Sequence, residues 1–318
     1  MTPPPAGRMP AAVKRDLQGI RKALDKQLPA KTKSNLLIGT WNLRAFGGLT
    51  NKWQSTDDDQ PKRDWQAVAC IASVVERFDV TAIQETRRDT TALFALLDRL
   101  GPRYRVIVSD TTEGSQGNQE RLAFVYDADR VKPSGLVGEI VLPATATGNA
   151  KQFARTPYAA GFVRETTDFI LATVHVLWGK STAGRLDEIS AFARWMRDWA
   201  DQPKDWNRNL LVLGDFNLDR IDNPLYQAFV STGLWPPPEL GLVPRTIFDN
   251  DRTSHFYDQI AWFNDPSDPK LPALLQGLTY TQRCGSFDFV PHTQDGLTRS
   301  QLSWRISDHF PLWLEFTI

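Results

Sequence analysis

Along this 318-residue chain, apolar runs repeatedly stop at an acid, an amide or a histidine. Asn42 follows LLIGTW and Glu85 follows VTAIQ. His175 stands near the end of FILATVHV, and Asp215 and Asn217 follow LLVLG. Asp258 comes just before QIAWF, and Asp308 and His309 just before FPLWLEF. Taken singly, an Asp or Asn after a strand is usually a turn former, and a lone His is usually packed or at the surface. As a set, hard-oxygen ligands and two histidines at successive strand ends are more than turns require. Apolar strands that end in polar groups present those groups at one edge of a sheet.

The chemistry such a set fits is phosphate-ester hydrolysis. Carboxylate oxygens suit Mg²⁺, Mn²⁺ or Ca²⁺. Mg²⁺ usually takes one or two protein carboxylates plus waters and substrate phosphate. Glu85 and Asp308 would supply these, with Asn42 and Asn217 binding without added charge. A histidine beside a carboxylate has its tautomer fixed and its basicity raised. Two such pairs would serve the attacking water and the leaving oxygen.

The elements that must position these groups follow from periodicity. The strands predicted are 36–41, 80–84, 105–109, 121–127, 161–165, 169–176, 210–214, 259–263 and 311–318. Helix faces are Trp65, Val68, Ile71, Val75 and Phe78; Leu93, Leu96, Leu97 and Leu100; and Leu186, Ile189, Ala193, Met196 and Ala200. Strands outnumber helices and occur both in adjacent pairs and around helices, which argues for an α/β fold of mixed sheets with helices outside. Four strands carry their polar group at the C-terminal end and the last two at the N-terminal end. Convergence therefore requires those two to run antiparallel to the others.

Residues 1–35 read as an extension to a domain of residues 36–318. Val13, Leu17, Ile20, Leu24 and Leu28 form an amphipathic stripe. That helix either docks on its own domain or binds a protein partner through residues 11–28. The proline-rich stretch 235–244 reads as a surface loop, and the acid-rich stretch 48–63 as a solvated loop that begins near the site.

Composition is that of a soluble globular protein, with 41% hydrophobic and 23% charged residues. Lys+Arg and Asp+Glu both number 37, so a DNA-binding surface would have to be local. The two cysteines, Cys70 and Cys284, make neither a disulfide framework nor zinc spacing. No signal peptide is legible and no apolar run reaches the length of a membrane span. These features lead to an expectation of a cytoplasmic protein.

The segments TWNLR, IQETR, ATVHV, GDFN, YDQI and SDH, in that order from Leu36 to Ile318, resemble the motifs of the endonuclease/exonuclease/phosphatase superfamily. The resemblance is nearest to the deoxyribonuclease I-like branch, through Arg87 in IQETR, Glu120 and Arg121 in NQERLAF, Arg155 in FARTP, and GSFDF before the final SDH. It implies a four-layer α/β sandwich of two mixed β-sheets flanked by helices. It also implies a metal-dependent endonuclease acting on DNA, with Mg²⁺ as the cofactor and Mn²⁺ or Ca²⁺ as alternatives.

In that reading Glu85 and Asp308 bind metal with Asn42 close by, while Asp215 and Asn217 orient the phosphate and the water. His309 is held by Asp258 and His175 by Glu120, as base and acid in an order the residues leave open. Arg44, Arg87 and Arg155 hold phosphates. The same scaffold carries phosphoinositide phosphatases and sphingomyelinase-type lipid phosphoesterases, which are the alternative reading. Asn118 stands where deoxyribonuclease I has a minor-groove tyrosine. His255 and His292 match no motif and read as structural or surface residues.

Overall fold

The computed structural model of the chain describes residues 4, 5, 7–142, 152–178, 182–249, 255–293 and 296–318. In chain order its elements are α1 (Ala11–Gln27), β1 (Asn35–Phe46), α2 (Trp65–Val75), β2 (Val80–Arg87), α3 (Thr91–Leu100), β3 (Tyr104–Val108), α4 (Gly114–Gly117), β4 (Glu120–Asp127) and β5 (Lys132–Glu139). There follow β6 (Tyr158–Arg164), β7 (Thr167–His175), α5 (Thr182–Ala200), β8 (Leu210–Asp215), α6 (Pro224–Val230) and β9 (Leu234–Trp235). The last are β10 (Asp258–Asp265), β11 (Asp268–Pro272), β12 (Thr279–Ser286), α7 (Arg299–Arg305) and β13 (Leu312–Thr317).

Two mixed sheets result. One runs β12-β13-β1-β2-β4-β3, the other β11-β10-β8-β7-β6-β5, with β9 paired to β10. β1 lies parallel to β2, and β7 parallel to β8. β13 runs antiparallel to β1, and β10 antiparallel to β8. These are the two reversed strands that convergence of the polar tips required.

The apolar runs do not alternate because the central strands are buried on both faces. In β1, Leu36 and Ile38 join the core between the sheets, with Phe124, Phe162, Leu171, Leu213 and Ile260. Leu37 and Trp41 face the other way, into a core with α2, α3 and α7. On the far side, α5 and α6 cover Ile170, Ala172 and Val212. The layers are helices, sheet, sheet, helices, as the resemblance implied. Burial at both faces is the main stabilising term, about 25 cal/mol per Å² of apolar surface.

Three of the four sheet edges depart from the sequence reading, the fourth being β3, predicted as 105–109. β5, β11 and β12 were not predicted, and each is an edge strand with an interrupted burial pattern. An edge strand packs on one face and tolerates Pro, Gly and charge, so the sequence of these three lacks the apolar run. The proline-rich stretch is not wholly surface: Pro238–Leu242 forms a 3₁₀ turn with Leu240 fully buried. Trp235 packs edge-on against Trp262 at 5.0 Å. The stripe Val13, Leu17, Ile20, Leu24 and Leu28 of α1 and its C-cap is buried in the same core as α2. Its exposed face carries Lys14, Arg15, Arg21, Lys22 and Lys26. Among the described residues no helix is long and apolar enough to cross a membrane.

Candidate active site

The polar tips meet at one end of the sandwich. A cleft of about 450 Å³ is lined by Asn42, Arg44, Glu85, Arg87, Glu120, Arg155, His175, Asp215, Asn217, Asp308 and His309. Of the residues singled out from sequence only Asp258 is not in its wall; it lies directly behind His309, fully buried.

Backbone irregularities aim these side chains. The β1–β2 ladder shifts register between Asn42 and Phe46, and β2–β4 between Ile83 and Thr86. At these bulges Arg44, Ala45 and Glu85 take positive φ, of 32°, 50° and 61°. Strain of this kind persists where the surroundings over-determine it, as at functional sites. Gly214 of GDFN has φ +135°, and a Cβ there would collide with the Val174 carbonyl. Only glycine lets β8 approach β7 closely enough to bring Asp215 beside His175.

Each catalytic-type histidine is held from behind. Nδ1 of His175 donates to Glu120 Oε2 at 2.6 Å, and Nδ1 of His309 to Asp258 Oδ2 at 2.7 Å. Their Nε2 atoms both face one oxygen, Asp215 Oδ2, at 3.6 and 3.8 Å. Asn42 Nδ2 donates to the same oxygen at 2.9 Å, which joins the first sheet to the second. Asp215 Oδ1 accepts from the Asn217 backbone N–H, and the Asn217 amide donates to the Val176 carbonyl.

Burial works against a charge on either imidazole, but the carboxylates win. Glu120 and Asp215 raise the His175 pKa above its ordinary value. Asp258, Asp215 and Asp308 raise that of His309 further.

The carboxylate cluster has the donor chemistry of a hard cation. Burial pushes the Glu85 carboxyl up, but His175, the Ala45 N–H, Arg87 and Asn42 outweigh it and hold it at about 2. Glu85 is thus an anion across the usable pH range. Asp308 is one-quarter open to the cleft. Both oxygens fit Mg²⁺, Mn²⁺ or Ca²⁺. Asn42 accepts from the Arg44 N–H through its own oxygen and donates to Glu85 and Asp215, so here it bridges carboxylates. Among the described residues, the ligand atoms of Asp215, Asp258 and His309 also lie within 4.8 Å of one another.

The three arginines hold carboxylates as well as lining the cleft. Arg44 pairs with Asp308 at 3.3 Å, and Arg87 spans Glu85 at 3.2 Å and Glu120 at 3.4 Å. Arg155 lies 2.8 Å from Glu120.

Sequence reading missed several residues. His255 lines the cleft, joined to Asp249 through Nδ1 and packed on Tyr257, whose ring lies 5.7 Å from that of His309. Glu188 accepts from the Ala154 and Leu177 N–H groups, which fastens the segments carrying Arg155 and His175. Buried Arg63 donates to the carbonyls of Leu43, Arg44, Ala45, Arg305 and Ile306. It ties the end of β1 to the end of α7. Arg245 does the same for Asp258 and Val243. Their signal, an arginine in a loop, does not differ from that of a surface residue.

A structure of an endonuclease/exonuclease/phosphatase family protein from Bacteroides thetaiotaomicron superimposes with a TM-score of 0.58 over 90% of this chain and 98% of its own, at 19% identity. The chain shares the fold of the endonuclease/exonuclease/phosphatase family. The same fold is seen in a complex of TDP2 from D. rerio with a single-strand DNA product, with a TM-score of 0.56 over 90% of this chain and all of the other, at 14% identity. By sequence, a deoxyribonuclease of Thioalkalivibrio sp. (strain K90mix) is 29% identical over 299 residues, 91% of this chain and 73% of the relative. No family model matches.

Proposed function

We propose that the chain is a divalent-metal-dependent endonuclease that hydrolyses backbone phosphodiesters of DNA. The observation that carries this reading is the pair of imidazoles, each anchored through Nδ1 and both turned through Nε2 toward Asp215 Oδ2. A displacement at phosphorus needs a proton taken from water on one side and a proton given to the leaving oxygen on the other. Two histidines on either side of one acceptor supply both. Asp215 and Asn217 orient the scissile group between them, and Glu120 and Asp258 hold the rings. Arg44, Arg87 and Arg155 balance the phosphate charge.

A divalent cation held by Glu85 and Asp308 beside Asn42 would stabilise the negative charge that develops on the phosphate. Mg²⁺ suits that oxygen set, with Mn²⁺ and Ca²⁺ as substitutes. The similarity to a deoxyribonuclease supports DNA as the substrate. Cys70 and Cys284 are free thiols, consistent with a reducing compartment, and a cytoplasmic location is part of this proposal.

The lipid alternative would want an exposed aromatic hairpin or a basic membrane face; Trp235 does not form the hairpin, while the basic face of α1 keeps a phosphoinositide in the test. The Trp235 ring packs on Trp262 and its Nε1 donates to the Lys270 carbonyl. A mannosyl-6-phosphatase from Bacteroides thetaiotaomicron VPI-5482 has the same fold, at a TM-score of 0.59 and 20% identity over 89% of this chain and all of its own. Sugar phosphates therefore belong in the test. The purified protein with Mg²⁺ is incubated with an oligonucleotide, a phosphoinositide vesicle and mannose 6-phosphate. Oligonucleotide fragments without inorganic phosphate release are the expected result. Phosphate released from either other substrate, with DNA intact, would overturn the reading.

A further inference from the structure

Five aromatic side chains are well exposed among the described residues: Phe94, Trp178, Trp206, Phe248 and Trp304. Three of these, Trp178, Phe248 and Trp304, line the cleft. Exposed rings gathered at a charged site need a reason, because burial of each would have stabilised the fold.

Trp304 is the best-defined of the three. It sits on α7, four residues before Asp308. The Arg44 guanidinium lies 3.9 Å from the centre of its ring. Arg44 is fixed in turn by Ser303 Oγ at 2.7 Å and Asp308 at 3.3 Å. The guanidinium covers one face of the indole, and the residue remains 49% exposed. Beyond His309, Tyr257 leads to Trp178, whose ring meets it edge-on at 5.6 Å. Flat rings thus lie beside Arg44 and next to His309.

We propose that Trp304, backed by Arg44, is a stacking platform for an unpaired nucleobase next to the scissile phosphate, so that the substrate is a single strand or an unpaired stretch. This rests on the nuclease reading above. In a duplex the base faces are covered by their neighbours, whereas an unpaired base offers a π-face to an aromatic ring or an arginine plane. Asn118 agrees: it has no ring to insert into a groove, its amide donates to Glu120 at 3.0 Å and its carbonyl accepts from Arg87.

The test measures kcat/KM for a short single-stranded DNA, for the same strand annealed to its complement, and for a strand in which base-free tetrahydrofuran units replace the nucleosides. Wild type, Trp304→Ala and Trp304→Phe are compared. The wild type is expected to favour the unpaired base-bearing strand over both others. In Trp304→Ala the ratio between base-bearing and base-free strands should fall roughly tenfold, the scale of one lost stacking contact, and Trp304→Phe should restore most of it. Equal cleavage of duplex and single strand, or a Trp304→Ala loss equal on base-bearing and base-free strands, would overturn the platform while the nuclease reading stands. No cleavage of any strand by the wild type would remove both.

Discussion

Asp215 Oδ2 is the point on which the site turns. Two imidazoles and one amide face it, and each imidazole is held by a carboxylate from another strand. Replacing His175 or His309 by alanine is expected to lower turnover of an oligonucleotide by at least about 10²-fold, the usual scale for a positioned acid or base. The two are distinguishable with a thymidine p-nitrophenyl phosphodiester, whose leaving group needs no proton. The variant that lacks the acid should regain most of its rate there, and the one that lacks the base should not. Near-normal turnover of either variant on the oligonucleotide would contradict the dyad assignment. Polar groups that interrupt apolar runs were legible in the sequence because burying a polar group is costly unless it is paired, which makes a set of them at strand ends conspicuous. His255 and Asp249 were not, because they sit in a loop where polar residues are the rule.

At the level of elements, the bulges at Asn42–Phe46 and Ile83–Thr86 direct Asn42, Arg44 and Glu85 into the cleft, and Arg63 clamps the first of them. Removing its side chain leaves five carbonyls without that donor. Arg63→Ala is expected to cost at least about 3 kcal/mol, since each buried acceptor left unpaired costs roughly 1–3 kcal/mol. Arg63→Lys should rescue little, because an ammonium cannot reproduce the planar fork. Urea unfolding measures both, and a change under about 1 kcal/mol would refute the clamp. The central strands could be read from sequence because both faces are apolar. The edges β5, β11 and β12 could not, since Pro, Gly, charged and polar residues break up their apolar pattern, whereas the edge strand β3 keeps Val106, Ile107 and Val108 and was legible. The strand directions were legible only indirectly, through the requirement that polar tips at opposite strand ends meet.

For the molecule as a whole, α1 closes the core outside the first sheet. Leu17→Ala is expected to destabilise the fold by about 2–5 kcal/mol, the range for an emptied leucine site, while cleavage per folded molecule stays unchanged. Thermal or urea unfolding that does not shift would mean that this stripe contributes nothing to the core. The stripe itself was legible in the sequence, but what it packs against was not, because an amphipathic helix reads the same on its own domain as on a partner.

The central claim is that the converging strand ends form one metal-dependent site for cutting DNA internally. Covalently closed circles, single-stranded and negatively supercoiled, test it most directly because they have no ends. With Mg²⁺ or Mn²⁺ the wild-type protein should open both forms, the single-stranded circle faster, and EDTA or His309→Ala should leave them closed. Circles that stay intact with every metal, or that His309→Ala opens as fast as wild type, would contradict the account.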